Sequence, residues 1–192
     1  AGVIHNSGGG GGGHIGSGGA GGYYTDIPGL RGQGGTGVGY YSDRIFMGGG
    51  GGSGHDNQGH GADGADGGGI IIVMAAEIHA NGYRLKANGA HAPPPTAVPG
   101  DDNNDHDGGG GGGAGGSVLI HLRNPQNSQV IAEAKGGDGT TMQRDHGSGG
   151  GGGGGMIRVN DNPNYFVNST LRGAQGDPTS SAVNRANSGF NG

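Results

Sequence analysis

Four uninterrupted glycine runs, at residues 8–13, 48–52, 108–113 and 149–155, constrain this chain more than any other feature. A glycine segment has no apolar side chain to bury and loses more conformational freedom on ordering than any other residue. If each run adopts the extended helix with three residues per turn, its N–H and C=O groups point outward without internal partners. Because only glycine lets such helices approach closely, neighbouring runs can supply those partners. The runs therefore predict a bundle of polyglycine II helices, with a disordered linker as the alternative.

The composition excludes several classes of protein. The chain has 56 glycines among 192 residues without the strict three-residue period of collagen, and 29% hydrophobic residues, which predicts a thin side-chain core. It has no cysteine, so neither disulfides nor zinc–thiolate sites can form. A net charge of −5 argues against nucleic-acid binding. The longest apolar run, at 70–76, is far shorter than the roughly 20 residues that span a bilayer.

Three segments of equal length align without gaps, at 70–90, 117–137 and 156–176, and are called units 1, 2 and 3. Each unit follows glycines and ends in small residues, so the length variation lies between units. A weaker, shortened copy is predicted at 21–34.

Each unit has the pattern of strand, turn and second strand. The opening strands at Ile70–Met74 and Val118–Leu122 are short aliphatic runs, which predicts that both are buried on both faces. Asn81-Gly82 is a two-residue hairpin signal, and Asn124-Pro125 is a turn dipeptide in unit 2. The return strands are predicted at 83–88, 130–135 and 167–172.

These patterns predict one domain over residues 1–192, with a C-terminal tail at 177–192. The fold class is all-β with polyglycine II helices, in which stacked strand-turn-strand repeats pack beside a bundle of glycine helices. The strand order, and the choice between hairpins and solenoid coils, stay open.

The glycine runs and the strand-turn-strand pattern resemble the glycine-rich repeats of bacterial surface and extracellular proteins. The runs also resemble those of the receptor-binding adhesins at the tips of some phage tail fibres, over roughly residues 8–176. That family stacks polyglycine helices into a sandwich and uses the loops between them for host recognition. The resemblance implies an extracellular or cell-surface location and a scaffold that presents loops.

One loop contains the pattern of a calcium site. Asn103, Asp105 and Asp107 supply oxygen ligands at alternate positions before Gly108, as in the opening of a calcium loop. The distal bidentate glutamate is missing, since Ala114 occupies that place, and the alternative is a solvated acidic loop. Further candidates are Asp63 and Asp66 for the same ion, and His55, His60, His91, His106 and His146 for a shared metal.

No arrangement of residues predicts catalysis. No Gly-Lys-Ser/Thr follows a glycine loop, no serine lies in Gly-x-Ser-x-Gly, and no His, Ser and Asp group together in the sequence. We therefore expect a protein that is not an enzyme. His79 and His121 lie on predicted strands and are expected to face solvent.

A repeated unit that cannot bury its own face leaves open ends, which favour head-to-tail association. The leading hypothesis is a secreted structural subunit that polymerises with itself into an extracellular filament, and the start at Ala1 fits a removed secretory signal. The alternative is an adhesin that presents the loops 53–66, 91–107 and 138–148 to a cell-surface receptor or glycan. A third hypothesis is binding of ice or carbohydrate by a flat glycine face. The predicted subunit contacts are Val3, Ile4, Val183 and Phe190.

Overall fold

The computed structural model describes residues 5–24, 29–39, 43–57, 59–95, 107–142 and 146–160. This part of the chain consists of strands and extended segments and contains no α-helix, only a 3-10 turn at Pro125–Asn127. The prediction of a non-helical class is therefore confirmed. The strands are β1 (Ile70–Ala75), β2 (His79–Lys86), β3 (Ser117–Leu122), β4 (Gln129–Glu133) and β5 (Met156–Val159).

The strands form two parallel sheets, one with the order β1-β3-β5 and the other with β2 beside β4. One face of the larger sheet packs on the smaller sheet. A core cluster of Ala87, Val118, Ile120, Leu122 and Val159 joins them, with Leu85, Val130 and Ala132 of the smaller sheet packed against it. This is the only side-chain core of appreciable size within the described ranges.

The register of the larger sheet places the first residues of the three units side by side. Ile70 pairs with Ser117, and Ser117 pairs with Met156. Parallel strands need a crossover connection rather than a tight turn. Here the crossovers run through the glycine-rich segments.

The hairpin predicted at Asn81-Gly82 is wrong. Both residues lie within β2 with positive φ, 48° and 87°, and mark an irregularity in its pairing with β4. Three residues lie between Ala75 and His79 in unit 1, whereas six lie between their partners in unit 2, so the connection there is three residues longer. Between His79 and Arg84, four residues of β2 face a single residue of β4, and these three extra residues restore the original register.

One further prediction needs correction. β1 is not buried on both faces, because it is the outer strand of its sheet, whereas β3, in the centre, is mostly buried. The central part of the copy predicted at 21–34 lies outside the described residues, and in its described part Gly21 donates a backbone hydrogen bond to Gly32.

Nine extended segments make up the rest of the described chain, and we call them the glycine bundle. Along much of the chain, a segment that runs toward the sheets is followed by one that runs away from them. The bundle therefore has a sheet end, next to the strands, and a loop end, where the connecting loops lie. Its members are 7–14, 16–22, 32–38, 48–55, 62–69, 87–92, 107–116, 134–140 and 147–155.

The central segment, 107–116, directs its backbone donors to three different neighbours with a period of three residues. Residues three apart therefore face the same neighbour, as they would on a helix with three residues per turn. Gly108, Gly111 and Ala114 donate to segment 48–55; Gly109, Gly112 and Gly115 donate to segment 147–155; Gly113 and Gly116 donate to segment 87–92.

The carbonyl groups of segment 107–116 accept from three other segments, 62–69, 7–14 and 134–140. The six surrounding segments form a closed ring, in which each segment hydrogen-bonds to the segment on either side of it. Side chains would not fit in this arrangement: a Cβ added at most of these glycines would meet a neighbouring carbonyl oxygen well inside the 3.0 Å limit of real Cβ contacts.

Candidate functional site

The outer strand β1 has an open edge. Ser117 donates to Gly69 O and Arg123 donates to Ala75 O, so by alternation the residues 69, 71, 73 and 75 face β3. The backbone groups of Ile70, Ile72 and Met74 therefore point away from the sheet. Their residues are 41%, 58% and 79% exposed, respectively, which is unusual for aliphatic residues of a strand.

The same side chains border an apolar depression on the outer face of the sheet. Its volume is about 180 Å³, and it is lined by Ile72, Val73, Met74, Leu119, Ile120 and His121. His121 is exposed there, and His79 is exposed on β2, as predicted. An exposed apolar strand edge beside an apolar depression is a typical surface for strand addition.

The other end of the outer face is attached to the glycine bundle through His14 and Ser117. Ser117 Oγ donates to Phe46 O at 2.7 Å, and His14 Nε2 lies 3.1 Å from the same oxygen and 3.2 Å from Ser117 Oγ. Residues 14 and 117 are 2% and 0% exposed. Sequence reasoning missed this pair because 103 residues separate its members. A buried hydroxyl that donates to a carbonyl acts as a structural contact.

Burial lowers the pKa of His14, against a smaller raising effect of the Phe46 carbonyl. The imidazole is therefore neutral in the folded protein, while the unfolded chain takes up a proton below about pH 6.5. Stability from His14 is thus complete above that pH and decreases as the pH falls toward the folded pKa.

We expect a melting temperature that falls between pH 7 and 5, less steeply in His14→Gln. In the control, His121→Gln, the slope should stay that of the wild type.

Two carboxylates connect neighbouring units. Glu77 accepts hydrogen bonds from the amides of Asn127 and Asn124, at 3.3 and 3.1 Å, and these lower its pKa. Glu133 on β4 is buried, forms an ion pair with Arg84 of β2 and accepts a hydrogen bond from Asn88 at 3.3 Å. The hydrogen bond from Arg84 is the largest cause that lowers the pKa of Glu133.

The loops between segments meet at the loop end of the bundle. His91 Nδ1 accepts the backbone N–H of Asp138 at 3.0 Å and lies 2.9 Å from Asp138 Oδ2, and Thr140 Oγ1 donates to Pro93 O at 2.6 Å. On another side of this end, Asn6 Nδ2 lies 3.0 Å from His146 Nδ1, and the ring of His146 contacts that of Tyr24. The described parts of the loops 91–107 and 138–148 therefore meet at this end.

Of the predicted calcium ligands, Asn103 and Asp105 lie outside the described residues. Asp107 is fully buried, and its Oδ2 accepts the backbone N–H groups of Asn57 and His60 at 3.1 and 3.3 Å. This carboxylate thus holds the loop at 56–60. Within the described ranges no three His, Asp or Glu side chains are placed to hold a metal ion.

The predicted subunit contacts Val3, Ile4, Val183 and Phe190 lie outside the described residues, as does His106 of the histidine group. The described surface instead presents Ile70, Ile72 and Met74. The sequence signal for them was the aliphatic run itself, which does not reveal whether a strand lies inside a sheet or at its edge.

Comparison with known proteins gives no relative: no family model matches, and neither the curated proteins nor the solved structures contain a match. Among the described residues, no helix has the length and apolar character needed to cross a membrane.

Proposed function

We propose that this protein is an extracellular structural subunit that assembles with copies of itself into a filament. Its interior would be a bundle of polyglycine II helices, beside which strand-turn-strand repeats stack. The open, apolar edge of β1 is the observation that carries this proposal.

The hydrogen-bond pattern of the glycine bundle supports the polyglycine II helix. Donors with a period of three residues and six neighbours around segment 107–116 are the features of such helices packed side by side. Exposure along 61–67 has the same period: Ala62 and Ala65 are buried, Asp63 and Asp66 are exposed, and the three glycines are intermediate. An interior of this kind uses main-chain hydrogen bonds where most proteins use apolar side chains.

The sheet register supports repeat stacking. Equivalent residues of units 1, 2 and 3 pair laterally, and each new strand adds to the previous one in parallel. This pairing does not limit the number of strands, because a further strand could pair with an outer strand in the way that β3 pairs with β1. An exposed strand edge with aliphatic side chains is prone to pair with a further chain unless it is protected. β1 carries no charged residue and no proline that would protect it.

The proposal predicts that one charge on β1 prevents assembly. In Ile72→Lys, an ammonium group would have to lose water at the contact, so we expect the concentration at which polymers form to rise by roughly tenfold or more. Sedimentation velocity and negative-stain electron microscopy of the full chain measure this. Leu30→Lys is the matched control, because Leu30 is 55% exposed and lies outside the sheets.

Monodisperse wild-type particles at high concentration would contradict the filament. Equal loss of assembly in both lysine variants would indicate a general effect of charge, and so would remove β1 from the proposal.

An adhesin is the second candidate, and the meeting of the loops at one end favours it. The bundle would then hold the loops, and the open edge would have no part in binding. The same pair of variants separates the two functions. An adhesin that acts as a monomer would bind its receptor or glycan equally well with lysine at position 72.

A further inference from the structure

Two Asn-Gly pairs lie in the described part of the chain, at 81–82 and 88–89, and the fold treats them differently. In this dipeptide the backbone nitrogen of the glycine readily attacks the side chain of the asparagine, because glycine has no side chain to hinder the approach. The attack needs a glycine N–H that can leave its hydrogen bond and a side-chain amide that can rotate toward it. The two pairs therefore show the effect of the fold at equal local sequence.

The first pair, Asn81-Gly82, is loosely held. It lies between the register pairs at His79 and Arg84, where residues 80–83 share a single opposing residue of β4. Asn81 and Gly82 are both exposed, and a Cβ added at Gly82 would meet no atom within 4 Å. No described residue forms a hydrogen bond with the side chain of Asn81. Its amide is therefore free to rotate.

The second pair, Asn88-Gly89, is fixed by hydrogen bonds on every reacting group. Asn88 Oδ1 accepts the backbone N–H of Lys135 at 2.9 Å, and Asn88 Nδ2 donates to Glu133 Oε2 at 3.3 Å. The N–H of Gly89, which would be the attacking group, donates to Lys135 O at 2.9 Å. Gly89 is buried, and a Cβ there would overlap the carbonyl oxygen of Gly113. Reaction at Asn88 therefore requires all three hydrogen bonds to break.

We propose that Asn81 is a site of spontaneous deamidation in the folded protein, with water as the co-reactant. The nitrogen of Gly82 loses its proton to solvent and forms a bond to Asn81 Cγ. The bond from Cγ to the side-chain nitrogen breaks, and that nitrogen takes a proton from water and leaves as ammonia. Water then hydrolyses either C–N bond of the resulting succinimide, which gives aspartate or isoaspartate at position 81. This reaction is independent of the proposed assembly.

The position of Asn81 also determines what the conversion does to the fold. Isoaspartate directs the main chain through the former side chain and so lengthens the backbone by one carbon. That carbon would lie among residues 80–83, in the irregular part of β2, and would leave the pairs from Arg84 to Lys86 in register. The same change at Asn88 would remove the amide that donates to the buried Glu133. The fold thus leaves the reactive pair where its conversion is tolerated.

Reaction rates in the folded and the unfolded protein test this proposal. The full-length chain is incubated at mildly alkaline pH with and without denaturant, and tandem mass spectrometry follows the mass gain at Asn81 and at Asn88. In denaturant the two sites should react at similar rates. In the folded protein the rate at Asn81 should stay within about threefold of its unfolded value, and the rate at Asn88 should fall by roughly tenfold or more, because its hydrogen bonds must open first.

Asn81→Gln is the control variant, because the longer side chain closes a ring much more slowly. The mass gain at position 81 should disappear, and the rate at Asn88 should not change. Circular dichroism of the converted wild-type protein should match that of the fresh sample. A folded-state rate at Asn81 that falls as far as the rate at Asn88 would overturn the proposal, since the fold would then protect both pairs. Equal rates at the two sites in the folded protein would also overturn it, since the fold would not distinguish them.

Discussion

Replacement of Gly111 by alanine is expected to destabilise the protein by about 3 kcal/mol or more. Gly111 lies in the central segment, its N–H donates to Gly52 O at 2.8 Å, and its C=O accepts from Ala65. A methyl group at this position would overlap the carbonyl oxygen of Gly10. Relief requires segments 7–14 and 107–116 to separate, which breaks the hydrogen bonds between them. Chemical denaturation at neutral pH measures the change in the free energy of unfolding.

Gly50→Ala is the matched control, because a Cβ at Gly50 would lie 3.5 Å from Ala65 O, an ordinary contact. The residue is exposed, and alanine there restricts the unfolded chain, so we expect no loss or a gain of about 0.4–1 kcal/mol. Equal destabilisation by the two substitutions would contradict close packing of the bundle. It would indicate that glycine is needed for chain flexibility in general.

The non-helical class could be predicted from the sequence, because long glycine runs and short aliphatic runs leave no segment that favours an α-helix. The alignment of units 1, 2 and 3 anticipated the observed pairing of Ile70, Ser117 and Met156. The alignment needs no gap because the three extra residues in the connection of unit 2 are offset by three extra residues within β2 of unit 1. The sequence Gly-Ala-Asp-Gly-Ala-Asp at 61–66 contained a further signal, a period of three, that sequence reasoning did not use.

The rest depends on tertiary contacts that no local pattern encodes. Asn-Gly is a hairpin signal only if the flanking strands pair with each other, and here each pairs with a strand of another unit. The exposure of Ile72 and Met74 follows from the outer position of β1, which strand sequence does not fix. The contact of His14 with Ser117 arises because a bundle segment ends beside the sheet.

The chain thus combines two kinds of interior with different sensitivities. The bundle is held by main-chain hydrogen bonds, so an added side chain lowers its stability, whereas the apolar character of its residues contributes little. The two sheets are held by a small aliphatic core and by polar contacts between units, so they are sensitive to side-chain loss. One of these polar contacts joins Arg84 and Glu133.

Removal of the Arg84 side chain is expected to cost about 2 kcal/mol at pH 7, because it leaves the buried carboxylate of Glu133 without its main partner. Loss of a fully buried partner costs about 3–5 kcal/mol, but here Arg84 is half exposed and Lys135 stays 3.8 Å from the carboxylate. Glu133→Gln should cost less than Arg84→Ala, because it leaves no buried charge and the freed guanidinium can reach water. Arg44→Ala is the control, since Arg44 and Asp43 form an exposed pair and its loss should cost less than about 0.5 kcal/mol.

The pH dependence gives a second, independent measure of the same contact. Arg84 lowers the pKa of Glu133 below its unfolded value of about 4.3, so the resulting stability is complete above that pH. It is lost as the pH falls through the folded pKa, because the folded protein must then take up the proton that the unfolded chain already holds. Arg84→Ala removes the largest cause of the shift, so its stability should decrease less steeply below pH 4.3 and approach that of the wild type. Parallel stability curves for the two proteins from pH 7 to 3 would show that Arg84 stabilises the sheets through packing, without charge pairing to Glu133.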